Sequence, residues 1–271
     1  MNLKLSERLL LIAESVRGEG TVADIGTDHG YIPIWLIQHE ACRKVILSDI
    51  NSGPLEKARG NIRRHLPDVS LDIRQGTGIS VLQDGEADAV IIAGMGGILI
   101  RDILAENEEK TKSFPKFILQ PRNYARRLRT WIEKTPYLEI TDESLAREGR
   151  RLCEIITVEQ TEFTQTEQVR RRKDTAEKLK KKLEVSEDLE REIPLLYYAE
   201  SRMHSLDFVR RKIRQESEII ERIRRNSNAE NDDAAARMRR SENRLAQLRR
   251  IEEYALSGRE FTVSENFRNE R

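Results

Sequence analysis

A glycine turn rich in carboxylates lies near the start of the chain, in the stretch Ala23–Pro33 (ADIGTDHGYIP). The dinucleotide-binding fingerprint needs glycine at the first, third and sixth positions of G-x-G-x-x-G, because its backbone must approach a pyrophosphate closely. Counted from Gly26, the third position is Asp28 and the sixth is Tyr31. A carboxylate at the third position would repel a pyrophosphate, so the turn favours a ligand that carries positive charge and lacks phosphate.

S-adenosylmethionine is a ligand of that kind, because it carries a sulfonium and an α-ammonium group on a nucleoside without phosphate. Asp24, at the end of the first apolar run, could accept a hydrogen bond from the ammonium group. Asp49 ends the second run, where an acidic residue can accept from ribose hydroxyls. The alternative is that both carboxylates only cap helices. The residues predicted to bind the donor are Asp24, Gly26, Asp28, Asp49, Ile50, Gly76, Gly78, Gly94, Met95 and Gly96.

Two further glycine loops are expected at the same edge of the sheet. Gln75–Gly78 follows the third apolar run and Gly94–Gly97 follows the fourth, where the ligands of open α/β sheets gather. Glycines in the second loop could let a flat substrate come close to the methyl donor. The Asn/Asp-Pro-Pro-aromatic motif of enzymes that methylate exocyclic amino groups is absent there. This leaves a ring nitrogen, an oxygen or a carbon as the acceptor.

The elements that must hold these loops are predicted from the apolar pattern before residue 160. The apolar runs are Val22–Ile25, Val45–Leu47, Val69–Ile73, Ala89–Ala93 and Phe117–Leu119. Because most of them do not alternate with polar residues, they are typical of parallel strands buried on both faces. Asn123 could cap a helix that carries Tyr124, Leu128 and Trp131 inward. Residues 1–160 are therefore predicted to form a doubly wound, Rossmann-like α/β domain.

An antiparallel hairpin is predicted to end that sheet, because Tyr137–Ile140 and Leu152–Val158 follow each other closely around Gly149. After residue 163 glycine is absent until Gly258, and narrow apolar seams run along highly charged segments. Such seams indicate a helical coiled-coil domain over residues 161–258, with a turn near residues 226–233. The last residues, 259–271, are expected to be a disordered tail.

Composition limits the class of protein only weakly. The 48 Lys and Arg residues nearly cancel the 47 Asp and Glu residues, so the net charge of +1 does not decide for or against a polyanionic partner. Cys42 and Cys153 lie far apart, which favours reduced thiols. The apolar run Leu9–Ala13 is too short to span a membrane. The histidines outside the glycine turn lack the spacing of zinc ligands. We expect a soluble, cytoplasmic protein without a membrane segment or a bound metal.

Several motifs resemble those of one known family, the bacterial TrmK family. They are Leu5–Leu9 (LSERL), Asp24–Pro33 (DIGTDHGYIP), Ala93–Gly97 (AGMGG) and Leu119–Arg122 (LQPR). Members of this family are S-adenosylmethionine-dependent tRNA (adenine-N1)-methyltransferases that act on adenine 22 in the D-arm. The resemblance covers about residues 1–160 and implies a class I methyltransferase domain. Gly30 stands where alanine is more usual, and the helical region is matched only in type, with an extra stretch around 165–190.

The resemblance implies N1 of adenine as the acceptor. Neutral N1 already offers a lone pair, so no proton must leave before it attacks the methyl group. Methylation makes the ring cationic, so a nearby carboxylate would help more than a general base. Asp28 is the first catalytic candidate, and His29 and Tyr31 could orient it or stack on the base. The alternative for His29 is a structural role at the start of a helix, and the alternative for Tyr31 is a place in the core.

A tRNA partner would need phosphate contacts, and a D-arm adenine would have to be extruded from its stack. The residues predicted to bind RNA are Arg122, Arg126, Arg127, Arg170, Arg171 and Arg172. The alternative for the basic runs is a solvated helix surface. Two other functions stay open at this point: a nicotinamide-dependent oxidoreductase, and a non-catalytic coiled-coil scaffold with a vestigial α/β domain.

Overall fold

The computed structural model describes residues 3–164, 166–200, 202–226 and 232–266. The chain divides into two compact units, Met1–Arg170 and Arg171–Arg271. The boundary proposed from the sequence, after residue 160, falls at the end of the last strand, and the first unit continues ten residues further.

The first unit is built on a seven-stranded sheet with the order β3-β2-β1-β4-β5-β7-β6. Its strands are β1 (Thr21–Ile25), β2 (Lys44–Asp49), β3 (Asp72–Gln75), β4 (Ala89–Met95), β5 (Lys116–Pro121), β6 (Leu138–Glu148) and β7 (Arg151–Gln160). Strands β1 to β5 are parallel, whereas β7 pairs antiparallel with both β5 and β6. The predicted fold class, a Rossmann-like α/β domain with a terminal antiparallel hairpin and a helical C-terminal region, is confirmed.

Helices cover both faces of this sheet. They are α1 (Glu7–Glu14), α2 (Tyr31–Gln38), α3 (Ser52–His65), α4 (Gly97–Ala105), α5 (Glu108–Lys112) and α6 (Ala125–Glu133). One buried cluster joins α1, α2 and α3 to side chains such as Val22, and the other joins α4 and α6 to side chains such as Ala23. Successive strand residues thus enter opposite cores, which explains why the apolar runs do not alternate.

The start of α6 differs from the prediction. The cap is Tyr124 rather than Asn123, its φ is 53°, and its side chain is 53% exposed instead of buried. Leu128 is buried as predicted. The Asn123 carbonyl oxygen accepts a hydrogen bond from the Gly97 amide at 3.0 Å, so the loop before α6 is tied to the start of α4. With this tertiary contact in place, the helix begins one residue later than predicted, and Tyr124 lies outside it.

The second unit contains more than a coiled coil. Its helices are α7 (Glu167–Leu183, which begins in the first unit), α8 (Glu187–Glu190), α9 (Leu196–Ala199), α10 (Ser205–Asn226) and α11 (Asp232–Asn266). Helices α10 and α11 pack on each other, and Val209 and Ile220 of the predicted seam are buried. Leu189, Ile193 and Tyr197, from α8, α9 and the loop between them, are also fully buried. These three are core positions that the seam pattern did not predict.

The predicted turn and tail are only partly within the described residues. Helix α10 ends at Asn226 and α11 begins at Asp232, and the residues between them, 227–231, lie outside the described part. The backbone of residues 259–266 continues α11, where a disordered tail was expected. A single glycine, here Gly258, costs a helix only about 1 kcal/mol, so it need not end one. Residues 267–271 lie outside the described part.

Candidate functional site

The strand order reverses between β1 and β4, and the loops that follow these two strands form the candidate site. Ligands of open α/β sheets bind at such a reversal, outside the carboxyl ends of the strands. Gly26 follows β1 with φ 78°, and Gly94 lies near the end of β4 with φ 77°. Both glycines hold left-handed backbone conformations that favour glycine, so each loop can turn sharply at this edge.

Asp24 lies in β1 at this reversal and is 6% exposed. Burial raises the pKa of its carboxyl to about 6, a hydrogen bond with Thr27 opposes this rise, and the nearby charge of Asp49 adds to it. A buried carboxylate with a raised pKa is stabilised in its ionised form by a cationic partner. The residue therefore fits a ligand group such as an ammonium ion.

Asp49 ends β2, next to an exposed apolar side chain. Its Oδ1 accepts a hydrogen bond from the Asn51 amide at 2.8 Å, and its carbonyl oxygen accepts from the Gly76 amide at 3.1 Å. Ile50 is 59% exposed, and its carbonyl oxygen accepts from Gln75 Nε2 at 3.1 Å. The loops after β2 and β3 are thus tied together. They present a carboxylate beside an apolar surface, which suits the ribose and the base of a nucleoside.

The glycines of the site have different surroundings. A Cβ atom at Gly26 would collide with Met95 Cε, so the Met95 side chain lies over the glycine turn. A Cβ atom at Gly78 would lie 3.0 Å from Ile103 Cγ2, which gives this glycine a packing role against α4. Gly94 has no neighbouring atom within 4 Å of such a Cβ position among the described residues, and it faces open space.

Gly97 is explained by contacts within the chain. A Cβ atom there would lie 2.8 Å from the Asn123 carbonyl oxygen and 2.9 Å from that of Tyr124. The Arg122 amide donates a hydrogen bond to the Met95 carbonyl oxygen at 2.7 Å. The end of the AGMGG motif therefore admits the backbone of residues 122–124. The sequence predicted that the glycines of this loop leave room for a flat substrate. In the structure Gly94 has such free space beside it, whereas Gly97 does not.

The three predicted catalytic side chains contact one another in series. Asp28 Oδ2 lies 3.1 Å from His29 Nε2, and the His29 ring stacks on Tyr31 with 5.1 Å between centroids and 10° between planes. The Asp28 side chain is 63% exposed, and its Oδ1 accepts a hydrogen bond from Lys57 Nζ at 3.3 Å. Sequence reasoning did not predict Lys57 as part of this group. The available signal was its position near the start of α3, the helix that follows the Asp49 loop.

Two motifs of the family resemblance meet through Arg8. Its Nη1 donates to Gln120 Oε1 at 3.2 Å, and its Nε donates to Glu148 Oε1 at 3.0 Å. Gln120 is 2% exposed and donates through Nε2 to the Pro121 carbonyl oxygen at 3.0 Å. Helix α1 is thereby fixed to the end of β5 and to the β6–β7 hairpin. Hydrogen bonds of these motif residues thus hold the end of β5, which lies at the same edge of the sheet as the candidate site.

Comparison with known proteins agrees with this geometry. A family model described as "Methyltransferase domain" matches residues 5–156, which is more than half of the chain. The chain belongs to this methyltransferase-domain family. The matched range, residues 5–156, contains strands β1 to β6, the first part of β7, the reversal and all the loops described above. This membership favours the methyltransferase prediction over the oxidoreductase and scaffold alternatives.

Individual relatives narrow the comparison. The chain is 36% identical over 157 residues to the tRNA (adenine(22)-N(1))-methyltransferase of Bacillus subtilis, covering 58% of this chain and 66% of that protein. It thus spans just under two thirds of this curated relative. The crystal structure of Bacillus subtilis TrmK superposes with a TM-score of 0.73 at 25% identity, covering 93% of this chain and all of the other. The resemblance to the TrmK family is confirmed.

A third relative shows the same fold. The structure of M. capricolum TrmK in complex with S-adenosyl-homocysteine superposes with a TM-score of 0.65 at 21% identity. It covers 93% of this chain and 99% of the other. The likeness therefore extends beyond the methyltransferase domain into the helical region.

The arginines predicted to bind RNA lie in both units. In the methyltransferase domain, Arg122, Arg126 and Arg127 are exposed on the loop after β5 and on α6. In the helical region, Arg170, Arg171 and Arg172 lie on α7. Arg172 Nε donates to Glu200 Oε1 at 3.0 Å, so part of its charge is already compensated within the second unit.

Other expectations concern metals, thiols and membranes. Among residues 3–164, 166–200, 202–226 and 232–266, no group of three or more His, Cys, Asp or Glu side chains could hold a metal ion. Cys42 and Cys153 are free and partly buried, and burial raises the pKa of both thiols, that of Cys42 to about 11. None of the helices in those ranges combines the length and the hydrophobicity that a membrane span requires.

Proposed function

We propose that this protein transfers a methyl group from S-adenosylmethionine to N1 of an adenine in tRNA, at position 22 of the D-arm. The observation that carries the proposal is the pair of carboxylates, Asp24 and Asp49, on adjacent strands at the reversal of a methyltransferase domain. The choice of tRNA and of position 22 is supported by the name of the Bacillus subtilis relative and by the shared motifs.

The residues at the reversal fit the methyl donor. Asp24 is buried, and its ionised form would gain from the α-ammonium group. Asp49 would accept from the ribose hydroxyls, and Ile50 would cover one face of the adenine. The open space beside Gly94 leaves room for the reacting groups. When bound, the donor would supply an electrophilic methyl group.

The residues around Asp28 would act on the acceptor adenine. Attack by N1 requires no proton removal, so the task of the protein is to position the base and to stabilise the positive charge that develops on it. The exposed Asp28 carboxylate would supply negative charge, tempered by its contact with Lys57. The stacked pair His29–Tyr31 would offer a flat surface near that carboxylate.

The remaining parts of the proposal concern the partner and its compartment. Arg122, Arg126 and Arg127, beside the site edge, would contact phosphates of the tRNA, and the arginines of α7 would add further contacts. Such a substrate would be met in the cytoplasm, which is the compartment that we propose.

Nucleoside analysis tests the proposal directly. The full chain is incubated with S-adenosylmethionine and an unmodified tRNA transcript, and the digested nucleosides are analysed by mass spectrometry. We expect 1-methyladenosine with the wild-type transcript and none with a matched transcript that carries guanosine at position 22. Unmodified adenosine in both transcripts would refute the activity. Methylation that survives the guanosine substitution would refute the position.

A further inference from the structure

A groove of about 780 Å³ lies between α4 and α6 in the methyltransferase domain. It is lined by Arg101, Tyr124, Arg126, Arg127, Thr130, Trp131 and Lys134. Four of these seven side chains are cationic and two are aromatic. None of the donor-binding or catalytic residues named above takes part in this lining, so the groove is separate from the donor site, although it includes Arg126 and Arg127 of the predicted RNA contacts.

Aromatic and cationic side chains alternate along the α6 side of the groove. Tyr124, Arg127, Trp131 and Lys134 follow one another at steps of three, four and three residues, which places them on one face of the helix. Ten residues of helix extend about 15 Å, which is longer than one nucleotide. Surfaces that bind single-stranded nucleic acid combine aromatic rings for the bases with cations for the phosphates. The lining has this composition.

Tyr124 is held in an unusual conformation that keeps its ring exposed. Its φ of 53° lies in the left-handed region, where bulky residues are rare, and its side chain is 53% exposed. Strained backbone of this kind gathers at ligand-binding sites. The Arg127 guanidinium lies 5.1 Å from the centre of the Tyr124 ring and leaves the remainder of the ring accessible.

Arg101 brings a cation to the groove from the facing helix, α4. It shares its charge with Asp102 of the same helix, with 2.6 Å between Arg101 Nη2 and Asp102 Oδ1. Its side chain is still 39% exposed, so a phosphate can approach the guanidinium from the groove.

One end of the groove lies beside the candidate site. The Arg122 amide contacts the Met95 carbonyl oxygen, and Met95 in turn lies over the Gly26 turn. Tyr124 is two residues further along the chain from Arg122, and its carbonyl oxygen lies against Gly97. The groove therefore begins where the loops after β4 and β5 meet and leads away from the donor edge.

We propose that this groove binds an unpaired nucleotide next to the target adenine of the RNA. Its base stacks on Tyr124, and its flanking phosphates contact Arg101 and Arg127. The inference rests on the proposed function, because extrusion of a target base disrupts the stacking of its neighbours and leaves an adjacent base to be held. It also makes a claim of its own, namely that the protein prefers unpaired to paired RNA at this surface.

Binding of short RNAs to the full chain tests the inference. Fluorescence anisotropy is measured with labelled hexauridylate and with a duplex of the same length, for the wild type and for the variants Tyr124→Ala, Tyr124→Phe and Arg127→Gln. Tyr124→Phe keeps the ring, and Arg63→Gln, on the exposed surface of α3, is the matched charge control. Affinity for S-adenosylmethionine, measured by calorimetry, verifies that each variant is folded.

We expect Tyr124→Ala to weaken hexauridylate binding roughly 10-fold, and Tyr124→Phe and Arg63→Gln to bind like the wild type. Arg127→Gln should lower the salt dependence of binding by about one phosphate contact. Equal hexauridylate affinity of Tyr124→Ala and wild type, or equal losses in Tyr124→Ala and Tyr124→Phe, would overturn the stacking role. If wild type fails to methylate tRNA while Tyr124→Ala still loses hexauridylate binding, the proposed activity is refuted and the groove stands.

Discussion

Asp24 combines a cost to the stability of the fold with a proposed role in donor binding. Its carboxyl is buried, and its pKa in the folded protein is raised from the ordinary 3.8 to about 6. The folded state therefore holds this proton more tightly than the unfolded state does. The contribution to stability is most favourable below about pH 4 and is lost as the pH rises through about 6. At neutral pH Asp24 is ionised, and its burial lowers the free energy of unfolding.

Replacement of Asp24 by Asn should separate these two effects. Without donor at pH 8, we expect Asp24→Asn to raise the free energy of unfolding by about 1–3 kcal/mol, because no buried charge remains. The gain should vanish below pH 4, while affinity for S-adenosylmethionine falls at pH 8. Urea unfolding at both pH values and calorimetry measure these changes. Donor affinity equal to wild type would remove Asp24 from the ammonium site, and a loss of stability at pH 8 would contradict the burial cost.

Asp28 permits a kinetic prediction, because its exposed carboxylate contacts both His29 and Lys57. Asp28→Asn should lower the single-turnover methylation rate much more than it weakens tRNA affinity, since the negative charge matters once the ring becomes cationic. Asp68→Asn, an exposed change in the loop after α3, is the control. A donor-saturated Asp28→Asn protein that turns over like wild type would leave positioning as the whole contribution.

At the scale of elements, a buried ionic cluster fixes α6 to the terminal hairpin. Arg129 of α6 is 2% exposed, and its Nε lies 2.7 Å from Glu143 Oε1 while its Nη2 lies 2.6 Å from Glu154 Oε2. Burial raises the pKa of Glu143 to about 7, and the charge of Arg129 opposes this rise. The single guanidinium of Arg129 thus pairs with two carboxylates, Glu143 on β6 and Glu154 on β7.

Removal of that cation should destabilise the domain in a pH-dependent way. We expect Arg129→Met to cost about 3–5 kcal/mol, because it leaves buried carboxylates without their partner. Protonation of Glu143 relieves this penalty, so the loss should be smaller at pH 5 than at pH 8. Urea unfolding measures both values, with the exposed Arg64→Met as the matched control. An equal loss at both pH values would show that missing packing, rather than charge, is responsible.

Sequence patterns predicted the helices and strands wherever a local period of apolar residues determines the secondary structure. The unalternated runs around Val22 and Val90 identified strands buried on both faces, and the strand ends pointed to Asp24 and Asp49 as candidates for donor binding. Tertiary contacts decided the rest. The start of α6 depends on a hydrogen bond from Gly97, and the contact of Lys57 with Asp28 joins residues 29 positions apart. The core around Tyr197 comes from short segments that carry no period long enough to detect.

At the scale of the molecule, the net charge of +1 makes the distribution of cations decisive for the proposed RNA binding. Replacement of Arg170, Arg171 and Arg172 by Gln should weaken tRNA binding and flatten its dependence on salt by about one unit for each phosphate that the variant no longer binds. We expect fewer than three units, because Arg172 already pairs with Glu200. The control is the triple change of Arg59, Arg63 and Arg64 on α3. Equal salt slopes for wild type and the α7 variant would make that basic run a solvated surface.

The strand order also has a consequence for synthesis on the ribosome. β7 lies between β5 and β6, although it is the last of the three to be translated. The eleven-residue strand β6 therefore leaves the exit tunnel before the strand to which it pairs in the finished sheet. At elongation rates of about 5–20 residues per second, its edge stays unpaired for roughly a second. During that interval charged side chains of β6, such as Glu139 and Asp142, would discourage its edge from pairing with other chains.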